Sequence, residues 1–147
     1  MGLAFLGQIA IVEKRLIAAK KRMERYKAVM DCVNRLSQTG KVSHLPDVTR
    51  NEVMMIEYMV AVNQVTALIQ KKNAVIDRVE EKLMQMQTIN GPEMLQGIYI
   101  EYKSVVEVAN ELHYSRQGTY MLKNRALREL DRILNPFGLC TSCENPP

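Results

Sequence analysis

Tryptophan is absent from this chain, and phenylalanine occurs only twice in 147 residues. Large aromatic rings therefore cannot organise the interior, which falls to Leu, Val, Ile, Ala and ten Met. With Lys, Arg, Glu and Gln making up much of the rest, that composition favours long helices over sheet. Cysteine is scarce too. Cys32, Cys140 and Cys143 are an odd set with no disulfide framework, which fits a reducing compartment. Cys140 and Cys143 have the spacing of half a zinc site, without a second pair to complete it. No Gly-rich phosphate loop, Ser/His/Asp arrangement or purposeful carboxylate pair stands out, and His44 and His113 lie far apart without an obvious partner. The expectation is a non-enzyme with no cofactor and no bound metal.

Two further absences bear on location. The apolar N-terminal run (Leu3, Phe5, Leu6, Ile9, Ile11) precedes its positive charges, the reverse of a secretory signal. Gly2 raises myristoylation, but Leu6 stands where that motif wants Ser or Thr. No apolar run reads as long enough for the roughly 20 residues of a membrane span. A soluble cytoplasmic protein with no membrane partner is expected.

What is present is periodicity. Phe5, Ile9, Val12, Leu16, Ala19, Met23, Tyr26, Met30 and Val33 alternate spacings of four and three, the seam of a helix packed lengthwise on another. Gly40 follows as a helix stop, and residues 41–47, with Pro46, read as a loop. Thr49 and Glu52 form a capping box for a second long helix. Its seam reads Met55, Tyr58, Val62, Val65, Ile69, Lys72, Ile76, Val79, Leu83 and Met86, with Lys72 alone breaking the apolar run. Val53, Ile56, Met59 and Val60 are apolar on other faces, so this half should meet more than one neighbour. Two seams of similar length joined by a short loop predict a long antiparallel helical hairpin over residues 1–88. It should serve oligomerisation, most simply as a dimer, or partner binding.

Asn90-Gly91-Pro92 marks a boundary. Residues 89–134 then read as a helix carrying Leu95, Ile98, Tyr99 and Tyr102 on one face, a short helix capped by Ser104 and Glu107, and a last helix capped by Ser115. Asn135-Pro136-Phe137-Gly138 ends it, and residues 135–147 are expected to form a flexible tail. Two capped helices across a tight turn have the layout of a helix-turn-helix, whose second helix enters the DNA major groove. On that helix Thr119, Leu122, Ala126, Leu130 and Ile133 share one face and should pack on Val108, Ala109 and Leu112. The other side carries Arg116, Gln117, Tyr120, Met121, Lys123, Asn124, Arg125 and Arg128, with no acid among them. Arg suits guanine edges, Gln and Asn suit adenine, and the basic groups suit phosphates. Those residues and the cap Ser115 are the candidate DNA-binding set. The basic stretch of residues 14–27 reads as a solvated coiled-coil face, with a second DNA or polymerase contact as the alternative.

The carriers of a family likeness are Glu-Val-Ala-Asn-Glu-Leu at 107–112, Tyr114-Ser115 and Asn-Arg-Ala-Leu-Arg-Glu-Leu at 124–130. They resemble region 4 of sigma factors and, more closely, phage late-transcription activators of the RinA/ArpU type. The likeness covers roughly the last third of the chain. Ala109 fills the small position where the motif helices cross; His113 and Thr119 depart from the usual Gly and Val or Ile. The resemblance implies a DNA-binding regulator that assists host RNA polymerase at a phage or prophage late promoter. Two other classes stay open: a protein-interaction module docking on RNA polymerase, and a small terminase-like DNA-packaging recognition protein that would form a larger ring.

Overall fold

The computed structural model describes residues 1–38 and 48–136. Among them the chain is all-helical, with no strand: α1 (Gly2–Gln38), α2 (Val48–Leu83), α3 (Gly91–Tyr99), α4 (Val105–Glu111) and α5 (Arg116–Leu134). Gly40, His44, Pro46, Phe137, Gly138, Cys140 and Cys143 lie outside the described residues, as does the side chain of Thr49 and hence its capping box. The helices group into two units. One comprises residues 11–74; the other joins residues 1–10 to the chain from Val75 onward, so the boundary expected near residue 88 falls inside it.

In the unit of residues 11–74, Val12 and Leu16 of α1 are buried, and Ala19, Met23, Tyr26, Met30 and Val33 are half-buried at the expected spacing. Glu13 of α1 and Lys72 of α2 form an ion pair. The inward column of α2 keeps Tyr58, Val62, Val65 and Lys72 of the expected seam and departs from it at two positions. Ala61 and Val65 are buried and Tyr58, Leu68 and Lys72 half-buried, while Met55 and Ile69 are exposed. Columns through 61 and 68 or through 62 and 69 share Tyr58, Val65 and Lys72, and both are apolar, so periodicity alone does not separate them. Val53, Ile56, Met59 and Val60 are exposed. With apolar residues on opposite faces, α2 contains, within Asn51–Leu83, an 18-residue window that has the length and composition of a membrane span. The expectation that no stretch qualifies is corrected on that point.

The other unit is built on Leu6, Ile9, Val79, Leu83, Met86, Leu95, Ala126 and Leu130, all buried in one cluster. Burying each large aliphatic side chain here contributes about 1.5–3 kcal/mol before entropy is charged. A smaller cluster of Met94, Val108 and Leu122 lies against Ile98, Leu112 and Tyr114. The inward face of α5 thus divides its partners. Leu122 meets Val108 and Leu112 as expected, whereas Ala126 and Leu130 pack on the start of α1 and the end of α2. Gly97 lets α3 approach α4: a Cβ there would lie 2.9 Å from Val108 Cγ2.

Candidate nucleic-acid interface

Local chemistry sets the path from α3 to α5. Asn90 enters α3 in the left-handed region (φ 57°), and its Nδ2 donates to the Tyr114 hydroxyl at 3.2 Å. After α3, the Lys103 amide donates to the Gly97 carbonyl at 2.9 Å, and Lys103 Nζ lies 2.8 Å from carboxylate oxygens of both Glu101 and Glu111. Hydrogen bonds to those two carboxylates raise the Lys103 pKa. The capping box of α4 forms as expected: Ser104 Oγ accepts from the Glu107 amide at 3.2 Å, and Glu107 Oε2 accepts from the Ser104 amide at 2.7 Å. The Ser104 backbone amide, then its hydroxyl, lower the Glu107 pKa.

His113 makes the turn between α4 and α5 at φ 57°, a conformation that suits Gly better than a residue with a Cβ. The Tyr114 amide closes the turn on the Ala109 carbonyl at 2.9 Å. Ser115 Oγ then accepts from the Gly118 amide at 3.1 Å, capping α5. Thr119 is completely buried, and its hydroxyl donates to the Ser115 carbonyl at 2.9 Å. That bond satisfies the polar atom and leaves the methyl group for packing, so Thr serves where an aliphatic residue is usual.

With one side of α5 buried, its other side borders an open groove of about 1130 Å³. Met121, Asn124, Arg125 and Arg128 line it together. Arg132 lines it as well, four residues beyond Arg128 and outside the expected set. Its spacing from Arg125 and Arg128 is the signal that could have found it. The facing wall is Gln87, Thr88 and Ile89, a short segment that no periodic pattern marks. Ile89 and Met121 are strongly exposed, at 80% and 67%.

The other expected residues are placed elsewhere. Ser115, Arg116 and Gln117 are exposed on the first turn of α5, with the Ser115 hydroxyl engaged in its cap, and Tyr120 is exposed one turn on. Lys123 is half-buried, with its ammonium 5.6 Å from the Tyr99 ring centroid, a cation–π contact that turns it away from the groove.

Two acids of α5 are tied to neighbouring segments. Glu129 accepts from the Gln87 amide at 2.6 Å, from the Thr88 amide at 3.0 Å and from the Thr88 hydroxyl. Partial burial pushes its pKa up, but the Thr88 hydroxyl, the Gln87 and Thr88 amides and the Arg125 charge together outweigh it and leave the carboxyl below its ordinary value. Asp131 accepts a hydrogen bond from the Gly2 amide. Three arginines and one engaged carboxylate therefore line the groove, which leaves its charged lining with more positive than negative groups. Among the described residues no group of three or more His, Cys, Asp and Glu is placed to hold a metal ion. No protein-family model matches the chain, and no curated protein or solved structure matches it either.

Proposed function

We propose that this chain is a DNA-binding transcription regulator of the phage or prophage late-gene activator kind, acting in the cytoplasm without catalysis. On this reading α4, the His113 turn and α5 form a helix-turn-helix, with α5 as recognition helix. The observation that carries it is the division of α5: Thr119, Ala126 and Leu130 are buried, while Asn124, Arg125, Arg128 and Arg132 line an open groove, which the largely buried Leu122 also reaches. The arginines would hold phosphates, and Asn124, Gln117 and one or more arginines would meet base edges. Leu6 and Ile9 packed with Val79 and Leu83, and Glu13 paired with Lys72, support an antiparallel hairpin. That hairpin would be the association arm, and host RNA polymerase the protein partner.

The test is selection of bound sites from random and phage genomic DNA at two salt concentrations. Enrichment of one sequence class that persists at higher salt is expected. Loss of all binding with salt, without enrichment, would leave only backbone attraction and sink the sequence-reading claim.

Exposed Ile89 and Met121 beside the arginines favour a second reading, in which the groove takes an acidic, partly apolar protein segment such as one on RNA polymerase. Retention of polymerase by the chain after nuclease treatment would select that reading.

A further inference from the structure

The positive charge of this chain is unevenly placed. Residues 11–74 carry twelve Lys and Arg against six Asp and Glu, whereas the unit that contains α5 carries eight against ten. Much of the excess lies on α1, where it is sorted by face. At about 100° per residue, Lys14, Arg15, Lys21, Arg22 and Arg25 fall within an arc of about 120° centred on Ala18. All five are exposed. The three acids of α1, Glu13, Glu24 and Asp31, gather on another side, next to Lys20 and Lys27. A helix that carries charge only for solubility intersperses the signs and pairs them at spacings of three and four. Here Lys21 alone has an acid at such a spacing, Glu24, and among the described residues none of the five cations forms an ion pair. Arg22 is engaged by the Tyr26 hydroxyl at 3.4 Å and, less strongly, by the charge of Glu57. Arg25 Nε donates to the Lys21 carbonyl at 3.4 Å.

We infer that this stripe of α1 binds the phosphate backbone of double-stranded DNA without reading its sequence. The composition of the stripe selects that partner. From Lys14 to Arg25 the helix rises by on the order of 16 Å, a length over which each strand of a duplex presents a phosphate about every 3.4 Å. The bases of a single strand need aromatic rings to stack on, and the stripe offers none. A protein interface needs an apolar core inside its polar rim, and a lipid surface needs bulky apolar side chains to enter it. Between Lys14 and Arg25 the one apolar residue within the arc is Ala18. What remains is charge, which is all that a phosphate backbone requires. The inference goes beyond the reading of α5, because it gives residues 11–74 a DNA contact of their own and stands whether or not α5 recognises a promoter.

Its test uses the full chain, a labelled duplex of random sequence and fluorescence anisotropy at several salt concentrations. Two double variants remove the same charge from the same helix: Lys14→Gln with Lys21→Gln on the stripe, and Lys20→Gln with Lys27→Gln off it. Gln keeps the helix propensity of Lys and all four positions are exposed, so circular dichroism should stay that of the parent. The stripe variant should bind roughly 10-fold or more weakly at about 0.1 M salt, and its slope of log affinity on log salt should fall by about 1.8, or about 0.9 per lost phosphate contact. The off-stripe variant should keep the parent slope. A parent that binds no duplex, or a stripe variant that binds like the parent, would mean that α1 does not meet DNA. Equal losses in the two variants would mean that net charge alone matters. Each of these results overturns the proposal, as does tighter stripe-dependent binding to a single strand of the same length, or stripe-dependent binding to phosphatidylserine vesicles in place of the duplex. In the background of Arg125→Ala with Arg128→Ala the stripe dependence should persist. Stripe-dependent binding by a chain that enriches no sequence class would sink the α5 reading and support this one alone.

Discussion

Lys72 interrupts the inward apolar column of α2, and its ammonium meets the Glu13 carboxylate of α1. Each side chain retains about a quarter of its exposure, at 26% and 27%, but Glu13 Oε2 itself is shielded from solvent and has this ammonium as its partner. Such a pair contributes little net stability, whereas an orphaned partner is costly, so its effect is on register. Lys72→Met should destabilise the chain by about 1–3 kcal/mol, because a shielded carboxylate loses its counter-charge. Glu13→Leu combined with Lys72→Met should recover most of that loss. Urea unfolding of the parent and both variants checks it, and a double variant less stable than Lys72→Met alone would refute the pairing.

Glu129 ties α5 to the segment leaving α2. Its pKa is lowered in the folded chain, so the sign is that of a carboxylate whose charged form the fold stabilises. That stabilisation is present above the ordinary value of 4.5 and is lost as pH falls through the lower folded value. Glu129→Gln should therefore lower the melting temperature at neutral pH and make stability less steep on the acid side of 4.5. Thermal melts across that range check it; an unchanged acid slope would mean that the Thr88 and Gln87 bonds do not discriminate between the charged and neutral carboxyl.

The crossing of α3 and α4 rests on a missing side chain. A Cβ on Gly97 would lie 2.9 Å from Val108 Cγ2, too close without a shift. Gly97→Ala should cost about 1–3 kcal/mol by overpacking. Val108→Ala, costly alone, should cost markedly less in the Gly97→Ala background, because it removes the clashing methyl groups. Additive losses in denaturant unfolding would count against the close approach.

What was legible in the sequence was what is local. Ser104 and Glu107 stand three residues apart, and their reciprocal bonds are found as read. The Ser115 cap and the inward set Thr119, Leu122, Ala126 and Leu130 follow from helical spacing in the same way. Most of the α2 seam was legible too; what was not is that Ala61 is buried beyond Val62 and Leu68 beyond Ile69, because both members of each pair are apolar and only a packed neighbour distinguishes them. Partners distant in sequence were hidden for a related reason. Nothing near Glu129 announces that it holds Thr88, 41 residues away, or that this bond brings Gln87 to Ile89 to the edge of the candidate groove. Lys123 had the right residue type and an outward register, yet Tyr99 of α3 claims it.

The left-handed turn at His113 gives a stability test. At φ 57° the His Cβ is crowded by its own backbone, a strain that Gly does not feel. His113→Gly should stabilise the chain by roughly 0.5–1 kcal/mol, the strain relieved exceeding the entropy that Gly adds to the unfolded chain. DNA affinity should stay unchanged, since the turn geometry is the same. A loss of stability on chemical unfolding would mean that the His113 side chain makes a contact worth more than the strain.

The placement of the basic residues separates two kinds of variant. Arg125 and Arg128 line the groove, whereas Lys123 is turned onto Tyr99. Arg125→Ala and Arg128→Ala should each weaken binding to a promoter fragment, leave the melting temperature within a degree or two, and reduce the salt slope by about 0.9 per lost phosphate contact. Lys123→Ala should do the opposite, lowering the melting temperature through its lost ring contact while leaving the slope in place. Arg132→Ala is the sharper member of the series, because the groove rather than the motif pattern nominates it. A fall in its salt slope matching that of Arg128→Ala would extend the nucleic-acid surface to the last turn of α5. An unchanged slope for Arg125, Arg128 and Arg132 alike would mean that the groove does not meet phosphate, and would shift the weight to a protein partner.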